Sequence, residues 1–296
     1  MIFKSLTISF KKRLFLTSIV FLVIFSIVSI QLRLDRMKGN FRKAEELEFL
    51  PKPEVVKLMV LGYNQIVADI LWLRIIQYIG ERVQTEKGWQ WFIHTLDIIT
   101  YLDPQFVYAY QFGGLILSVI ASKPLESNSF LLKGMEVDRE QWIFPFVIGY
   151  NYFDYFKDYK KAAMYIAIAS KLEGSPFFLT QFAARLYATA GDPENGIVFL
   201  EQMMKSTDDE TAKKRLETRL KELIIERDIN VLEKCVKVFK DAYGYNPESL
   251  KSLLQKGIIK YLPKDPFGGY YYLDKEKQIV KSSYRQKRLR IYEKKK

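Results

Sequence analysis

Histidine and cysteine side chains are scarce in this sequence. His94 and Cys235 are the only histidine and the only cysteine among 296 residues. A zinc site built from histidine and cysteine needs several such ligands, and a lone helical histidine is more often structural than catalytic. No G-x-S-x-G, H-E-x-x-H, G-x-x-x-x-G-K-[ST] or G-x-G-x-x-G motif occurs. The sequence therefore predicts a protein that is not an enzyme and that carries no metal or cofactor.

Two charges in a mostly apolar segment form the first candidate binding surface. Asp69 and Arg74 flank Trp72 within residues 67–78. A charged group is costly to bury alone. Two interpretations follow: the charges pair with neighbours or flank a buried strip, or Asp69, Trp72 and Arg74 line a groove that binds a partner protein.

A dense aromatic segment forms the second candidate surface. Residues 144–159 carry eight Phe and Tyr side chains, which would occupy all sides of a helix. About half should enter a core, and the rest, including Tyr150 and Tyr155, should form an exposed patch that binds other proteins. Interleaved Tyr and Lys also suit nucleic-acid stacking. The nearly neutral body disfavours that use, and no nucleic-acid partner is expected.

Most of the net charge of +12 lies at the C-terminal end. Residues 275–296 hold ten Lys or Arg and two Glu, a net charge of +8, which leaves +4 for the other residues. We predict that residues 283–296 form a basic tail. Such a tail is typical of a solvated extension, and it also suits anionic lipid headgroups, nucleic acid or an acidic partner.

A stretch of 19 uncharged residues lies near the N-terminus. Residues 14–32 follow Lys11-Lys12-Arg13 and cover about 28 Å as a helix, close to the ~30 Å hydrocarbon core of a bilayer. A cleaved signal peptide is the alternative, but no small-residue cleavage site follows. We predict a short segment (1–13), one transmembrane helix (14–32) and a linker (33–53). We also predict a single-pass protein of the inner membrane, with its folded part on the periplasmic or extracytoplasmic side.

Short turns at a period near 34 residues divide residues 54–208 into four helical hairpins. The units span roughly 62–104, 105–139, 142–174 and 177–208. Small residues recur where paired helices should touch, and large ones where they should fill space. The proposed packing positions are Gly113, Gly134, Gly149, Tyr152, Ala162, Ala169, Ala184 and Tyr187. An irregular helical bundle is the alternative.

These positions resemble the tetratricopeptide repeat (TPR) family. The third unit keeps Gly149, Tyr152, Ala162 and Ala169, and the fourth keeps Ala184, Tyr187 and the 34-residue spacing. Residues 68–74 also resemble the start of the soluble part of some bacterial membrane-anchored repeat proteins. The resemblance implies a curved α-solenoid that binds other proteins.

Helices and a small hairpin should close the array. Residues 209–262 are predicted to hold capping helices: one from Asp208 to Asp228, one ending at Gly244 and one beginning at Asn246. Residues 263–282 should form a β-hairpin after Asp265-Pro266-Phe267-Gly268-Gly269, which resembles the end of pseudopilin-type proteins. The fold class is thus all-α with an N-terminal transmembrane helix, a TPR-like solenoid, a helical cap and a hairpin.

These features predict a membrane-anchored scaffold or assembly factor of the bacterial cell envelope. Its expected partners are other proteins at the repeat surface, the membrane at the N-terminal helix and anionic lipid at the basic tail. The alternative is an accessory subunit of a secretion, type IV pilus-like or polysaccharide-export machine, suggested by the Asp265–Gly269 stretch.

Overall fold

The computed structural model describes residues 18, 21–33, 51–80, 84–284 and 287–291. Residues 21–33 are helical, and their apolar side chains are mostly exposed; Phe21, for example, is 76% exposed. Part of the predicted membrane span (14–17 and 19–20) and most of the predicted linker (34–50) lie outside the described residues. Among the residues that are described, no helix is both long and apolar enough to cross a membrane.

The rest of the described chain is mostly helical and ends in one small hairpin, which confirms the predicted fold class at this level. The helices are α1 (Pro53–Met59), α2 (Asn64–Ile79), α3 (Glu86–Leu102), α4 (Val107–Val119), α5 (Pro124–Val137), α6 (Ile143–Asp154), α7 (Tyr159–Lys171), α8 (Phe178–Thr189), α9 (Pro193–Ser206), α10 (Glu210–Tyr243) and α11 (Leu250–Gln255). The strands are β1 (Tyr271–Asp274) and β2 (Ile279–Ser282), paired antiparallel with Tyr271 opposite Ser282.

Local chemistry sets many of the helix ends. Thr85 and Asp158 cap α3 and α7 by accepting hydrogen bonds from the backbone N–H groups of Gly88 and Lys161, at 3.2 and 3.0 Å. Proline begins α5 and α9, where a missing N–H costs nothing. Gly244 ends α10 in the left-handed region at φ +78°, as the sequence predicts.

Eight helices form four antiparallel hairpins: α2–α3, α4–α5, α6–α7 and α8–α9. Consecutive hairpins stack, with α5 against α6 and α7 against α8. The first helices of neighbouring hairpins also pack together, α4 on α6, and α8 packs on α10. Surface grooves instead open between the second helices, α3 and α5 or α7 and α9. The result is a solenoid-like stack that α10 closes.

Glycines stand where neighbouring side chains leave no room for a methyl group. A Cβ on Gly113 would lie 2.6 Å from Leu96, and one on Gly134 would lie 2.9 Å from Tyr110. At Gly149 it would lie 2.8 Å from the Ile166 side chain and 3.1 Å from the Ile166 backbone nitrogen. Each glycine therefore sets how closely two helices can approach.

The other predicted packing residues lie inside the same stack. Ala162, Ala169 and Ala184 are fully buried. Tyr152 stacks on Tyr165 with ring centroids 5.7 Å apart and planes 10° apart. Tyr187 lies 6.1 Å from the ring of Phe199, which joins α8 to α9.

A buried polar network joins the second and third hairpins, and its role was not predicted from the sequence. Asn151 of α6 accepts a hydrogen bond from Ser118 of α4 and donates to Ser127 and Asn128 of α5, at 2.5, 3.1 and 2.8 Å. All four side chains are buried. One amide therefore satisfies partners on two other helices and fixes how the hairpins stack.

The C-terminal helices differ from the prediction. The expected break at Asp228 does not occur, and α10 runs unbroken for 34 residues. No glycine or proline interrupts it, and the Asp228 carboxylate is buried against the Tyr271 hydroxyl at 3.0 Å. The next helix begins at Leu250 rather than at Asn246. It ends at Gln255 because Gly257 adopts φ +70°.

The predicted hairpin is present, and the Asp265–Gly269 stretch closes it. The buried Asp265 carboxylate accepts hydrogen bonds from the Phe267 N–H and the Ser282 hydroxyl. Phe267 stacks on Tyr284 at 4.8 Å. The stretch therefore forms a turn before β1, and its Asp265 side chain holds this turn against β2.

We expect Gly149→Ala to destabilise the protein by about 1–3 kcal/mol, because the new methyl group would overlap Ile166, including its backbone. Gly80→Ala is the matched control, since its Cβ would meet the Gln77 and Ile76 carbonyl oxygens at the ordinary contact distances of 3.4 and 3.8 Å. Urea denaturation followed by circular dichroism measures both. Equal midpoints for the two variants would show that close approach at Gly149 is not required.

Asn151→Ala should lower the free energy of unfolding by about 2 kcal/mol or more, since each buried polar group left without a partner costs about 1–3 kcal/mol. Asn195→Ala serves as the control because Asn195 is exposed and bonds only locally to Asp192. The same denaturation experiment applies. If Asn151→Ala lowers the free energy of unfolding no more than Asn195→Ala does, the network has no structural role.

Candidate protein-binding grooves

A groove open to solvent lies between α7 and α9. Its volume is about 620 Å³. Asp158 caps α7 and Pro193 begins α9, so both helices start at fixed points. Its lining residues are Lys160, Lys161, Met164, Ala167, Ile168, Lys171, Tyr187, Asp192, Asn195, Val198, Phe199 and Gln202.

The floor of this α7/α9 groove is apolar and open to solvent. Met164 and Ile168 lie one helical turn apart on α7, and Val198 faces them from α9. They are 46%, 38% and 51% exposed. Large apolar side chains grouped in an open groove are typical of protein-binding surfaces.

Three lysines give the rim of the groove a net positive charge. Lys160 and Lys161 lie at the start of α7 and Lys171 at its end, with Asp192 as the only acidic lining residue. Neighbouring groups hold two of the lysines in place: Lys161 lies over the Tyr152 ring at 5.1 Å, and Lys171 donates to Gln202 at 2.9 Å. The groove therefore fits an apolar segment flanked by carboxylates.

A smaller groove occupies the equivalent place between α3 and α5. Its volume is about 300 Å³, and it exposes Leu125. Its lining charges sum to −1, because Lys133 pairs with Asp97 at 2.9 Å and Glu126 is the remaining charge. The repeated geometry thus yields two grooves, of which only the α7/α9 groove is basic.

The predicted surface at Asp69, Trp72 and Arg74 is arranged differently from the prediction. Trp72 is half-buried and packs on Phe106 and Phe112 of the next hairpin, with ring centroids 5.4 and 5.2 Å away. Asp69 and Arg74 are exposed, but five residues of helix turn them about 140° apart. The three side chains therefore do not line one groove. 

The exposed face of α2 is apolar instead. Ile66, Ile70, Leu73 and Ile76 are exposed on the side opposite the buried Leu71 and Ile75. This α2 stripe lies at the end of the array that is nearest in sequence to the predicted membrane helix.

Tyr150 and Tyr155 bond within the chain. The Tyr155 hydroxyl donates to the Ser118 carbonyl at 2.6 Å and so ties the end of α6 to α4. The Tyr150 hydroxyl donates to the Asp154 carboxylate at 3.3 Å, and its pKa is raised by burial and by that carboxylate. The Tyr155 contact holds two hairpins together, whereas the Tyr150 contact lies within α6.

His94 and Cys235 lie far apart in the architecture. His94 Nε2 lies 3.1 Å from the Pro51 carbonyl and holds the start of the array on α3. Cys235 is half-buried against the core between α10 and the hairpin, and burial raises the pKa of its thiol. Within the described ranges, no group of three or more His, Cys, Asp or Glu is placed to hold a metal ion.

The basic end of the chain returns to the array. Residues 287–291 lie along α10, where Arg288 reaches the buried Glu226. Glu226 was not singled out from the sequence, because a charged residue in an amphipathic helix is normally solvated. Its place in the strongly charged run 210–228 gives no sign that a segment 62 residues later covers it.

No protein-family model matches this chain, and no curated protein matches it in sequence.

Proposed function

We propose that this protein is a membrane-anchored scaffold or assembly factor that binds another protein in the α7/α9 groove. The observation that carries the proposal is the exposed apolar floor of Met164, Ile168 and Val198 beneath three lysines. An amphipathic helix or extended segment with acidic flanks fits such a surface. Its apolar side would cover the floor and its carboxylates would meet the rim.

The stack of hairpins supports a TPR-like solenoid as the framework. Small residues at helix contacts and tyrosines between them are what that family uses to stack its repeats, and Gly149, Ala162 and Tyr152 have such contacts here. A stack of this kind offers an extended surface without a catalytic pocket. Binding, rather than chemistry, is the function that it suits.

A membrane anchor at residues 14–32 completes the proposal. The apolar side chains of residues 21–32 are largely exposed, and the α2 stripe adds a second exposed apolar surface at the same end of the chain. A bilayer would cover the first surface and lie near the second. We place the folded part on the periplasmic or extracytoplasmic side of the inner membrane of a bacterium.

Membership of a secretion, pilus-like or polysaccharide-export machine was the alternative. It depends on the Asp265–Gly269 stretch, in which the Asp265 side chain joins the loop before β1 to β2. No described contact of that stretch favours an external partner over this internal role.

A photo-crosslinking residue at position 168 in the full chain should capture a partner protein in intact membranes. The same residue at the exposed Val238 of α10 is the control. Lys160→Glu together with Lys171→Glu should reduce the product at position 168 by about tenfold or more, because a loss of ~1.4 kcal/mol lowers affinity tenfold. Equal yields of crosslinked product at positions 168 and 238 would overturn the assignment of the groove as the binding site. A yield at position 168 that the charge reversal leaves unchanged would overturn it as well.

The anchor and its orientation are tested with Val238→Cys in a Cys235→Ala chain. We expect this chain to stay with membranes after a carbonate wash and to react with a membrane-impermeant maleimide in intact spheroplasts, since residue 238 is exposed. The Cys235→Ala chain alone controls for background. Release of the chain by the wash would contradict the membrane anchor. Labelling that occurs only after lysis would indicate the opposite orientation.

A further inference from the structure

The chain carries a second candidate peptide site, at which one of its own segments is bound. Residues 287–291 return from the hairpin and lie along the middle of α10, and the segment ends beside α8. Leu289 is buried in the core cluster formed by α7 to α10, and Ile291 packs against the same cluster. The Ile291 N–H donates to the Thr189 hydroxyl at 2.9 Å, across 102 residues of sequence.

One buried carboxylate is the centre of this contact. Glu226 is 1% exposed, and its two oxygens accept from Arg288 Nε at 2.9 Å. The Leu289 N–H donates to the same carboxylate at 2.7 Å, and Arg290 Nε lies 3.3 Å from it. Glu226 therefore binds two guanidinium groups and one main-chain N–H.

Other polar groups on α10 extend the contact. Arg288 also reaches Glu233 at 3.1 Å and Asn230 at 2.9 Å. Arg290 donates to Asn230 as well. The planar, five-donor guanidinium suits this arrangement, whereas an ammonium group could not bond Glu226 in the same two-pronged way.

The bound segment has the features of a peptide ligand. Its side chains alternate, with Arg288 and Arg290 on the polar groups and Leu289 and Ile291 on the apolar core. Two main-chain N–H groups are bound by host side chains, a contact that does not depend on the peptide's own sequence. Main-chain bonds with alternating side-chain contacts are a common way to bind an extended peptide.

The site also requires a cation. A buried carboxylate that loses its partner is strongly destabilising, so Glu226 favours an occupied site over an empty one. A partner with an equivalent segment can supply the same groups. The basic α7/α9 groove cannot take such a segment, because like charges repel.

We infer that the surface formed by Glu226, Asn230, Glu233 and Thr189 is a binding site for an extended Arg-apolar-Arg-apolar segment of a partner protein. Residues 287–291 occupy it until that segment displaces them. The covalent link raises the local concentration of the chain's own segment, so an external segment competes well only when the internal one is weakened.

The test uses the full chain and a labelled peptide with the sequence of residues 284–292. In the released variant, Arg288→Ser and Leu289→Ser weaken the internal segment and leave the site intact. Fluorescence anisotropy should show at least about tenfold tighter peptide binding to the released variant than to the parent chain. Adding Glu226→Gln to the released variant should remove that gain.

A peptide with lysine at both arginine positions controls for simple charge attraction. It should bind at least about tenfold more weakly, since lysine cannot form the two-pronged contact. Equal binding of the two peptides, or equal binding to the parent and the released variant, would overturn the proposal. If the parent chain forms a dimer that Glu226→Gln converts to monomers, the site binds a second copy of this chain. That result would also overturn the proposal.

Hydrogen exchange on the parent chain keeps the proposal testable if the released variant does not fold, as judged by circular dichroism. Glu226 and Thr189 protect the N–H groups of Leu289 and Ile291. Excess arginine peptide should speed exchange at both, and the lysine peptide should not. Unchanged exchange at saturating arginine peptide would overturn the proposal.

Discussion

Close approach between helices is the constraint on which the rest of this structure depends. The glycine at position 149 leaves no space between α6 and α7, and Gly113 and Gly134 do the same in the hairpin before it. Short distances let buried alanines and stacked tyrosines pack in the interior. The hairpins can then repeat at nearly constant spacing, and a regular stack follows.

The same stacking creates the surfaces that we assign to function. First helices pack on one another, as α4 does on α6, and grooves open between second helices. The groove geometry repeats, but the side chains that line it do not. Lysines on α7 make one groove basic, whereas Asp97 and Glu126 outnumber Lys133 in the other. Specificity therefore comes from surface residues, which the packing does not constrain.

The long helix α10 connects three parts of the molecule through buried carboxylates. Glu222 pairs with Arg219 on its own helix, Glu226 holds Arg288 of the C-terminal segment, and Asp228 accepts from Tyr271 of the hairpin. Burial and the Asp228 carboxylate raise the pKa of Tyr271 well above its usual range, so the hydroxyl remains a donor. The Glu226 and Asp228 carboxylates are thus satisfied by groups whose position depends on the tertiary fold.

The sequence by itself determined the features that local chemistry controls. These features could be predicted because each involves residues close together in the chain. They are the helical periodicity, the capping residues, the turn glycine at position 244 and the strand propensity of the hairpin. Only the tertiary structure decided the α7/α9 groove, the network around Asn151 and the contact of Arg288 with Glu226. These features bring together residues that lie 20 or more positions apart in the chain. The way in which the helices pack determines which of those residues meet. Helix packing also placed Trp72 and Tyr155 in contacts that hold hairpins together.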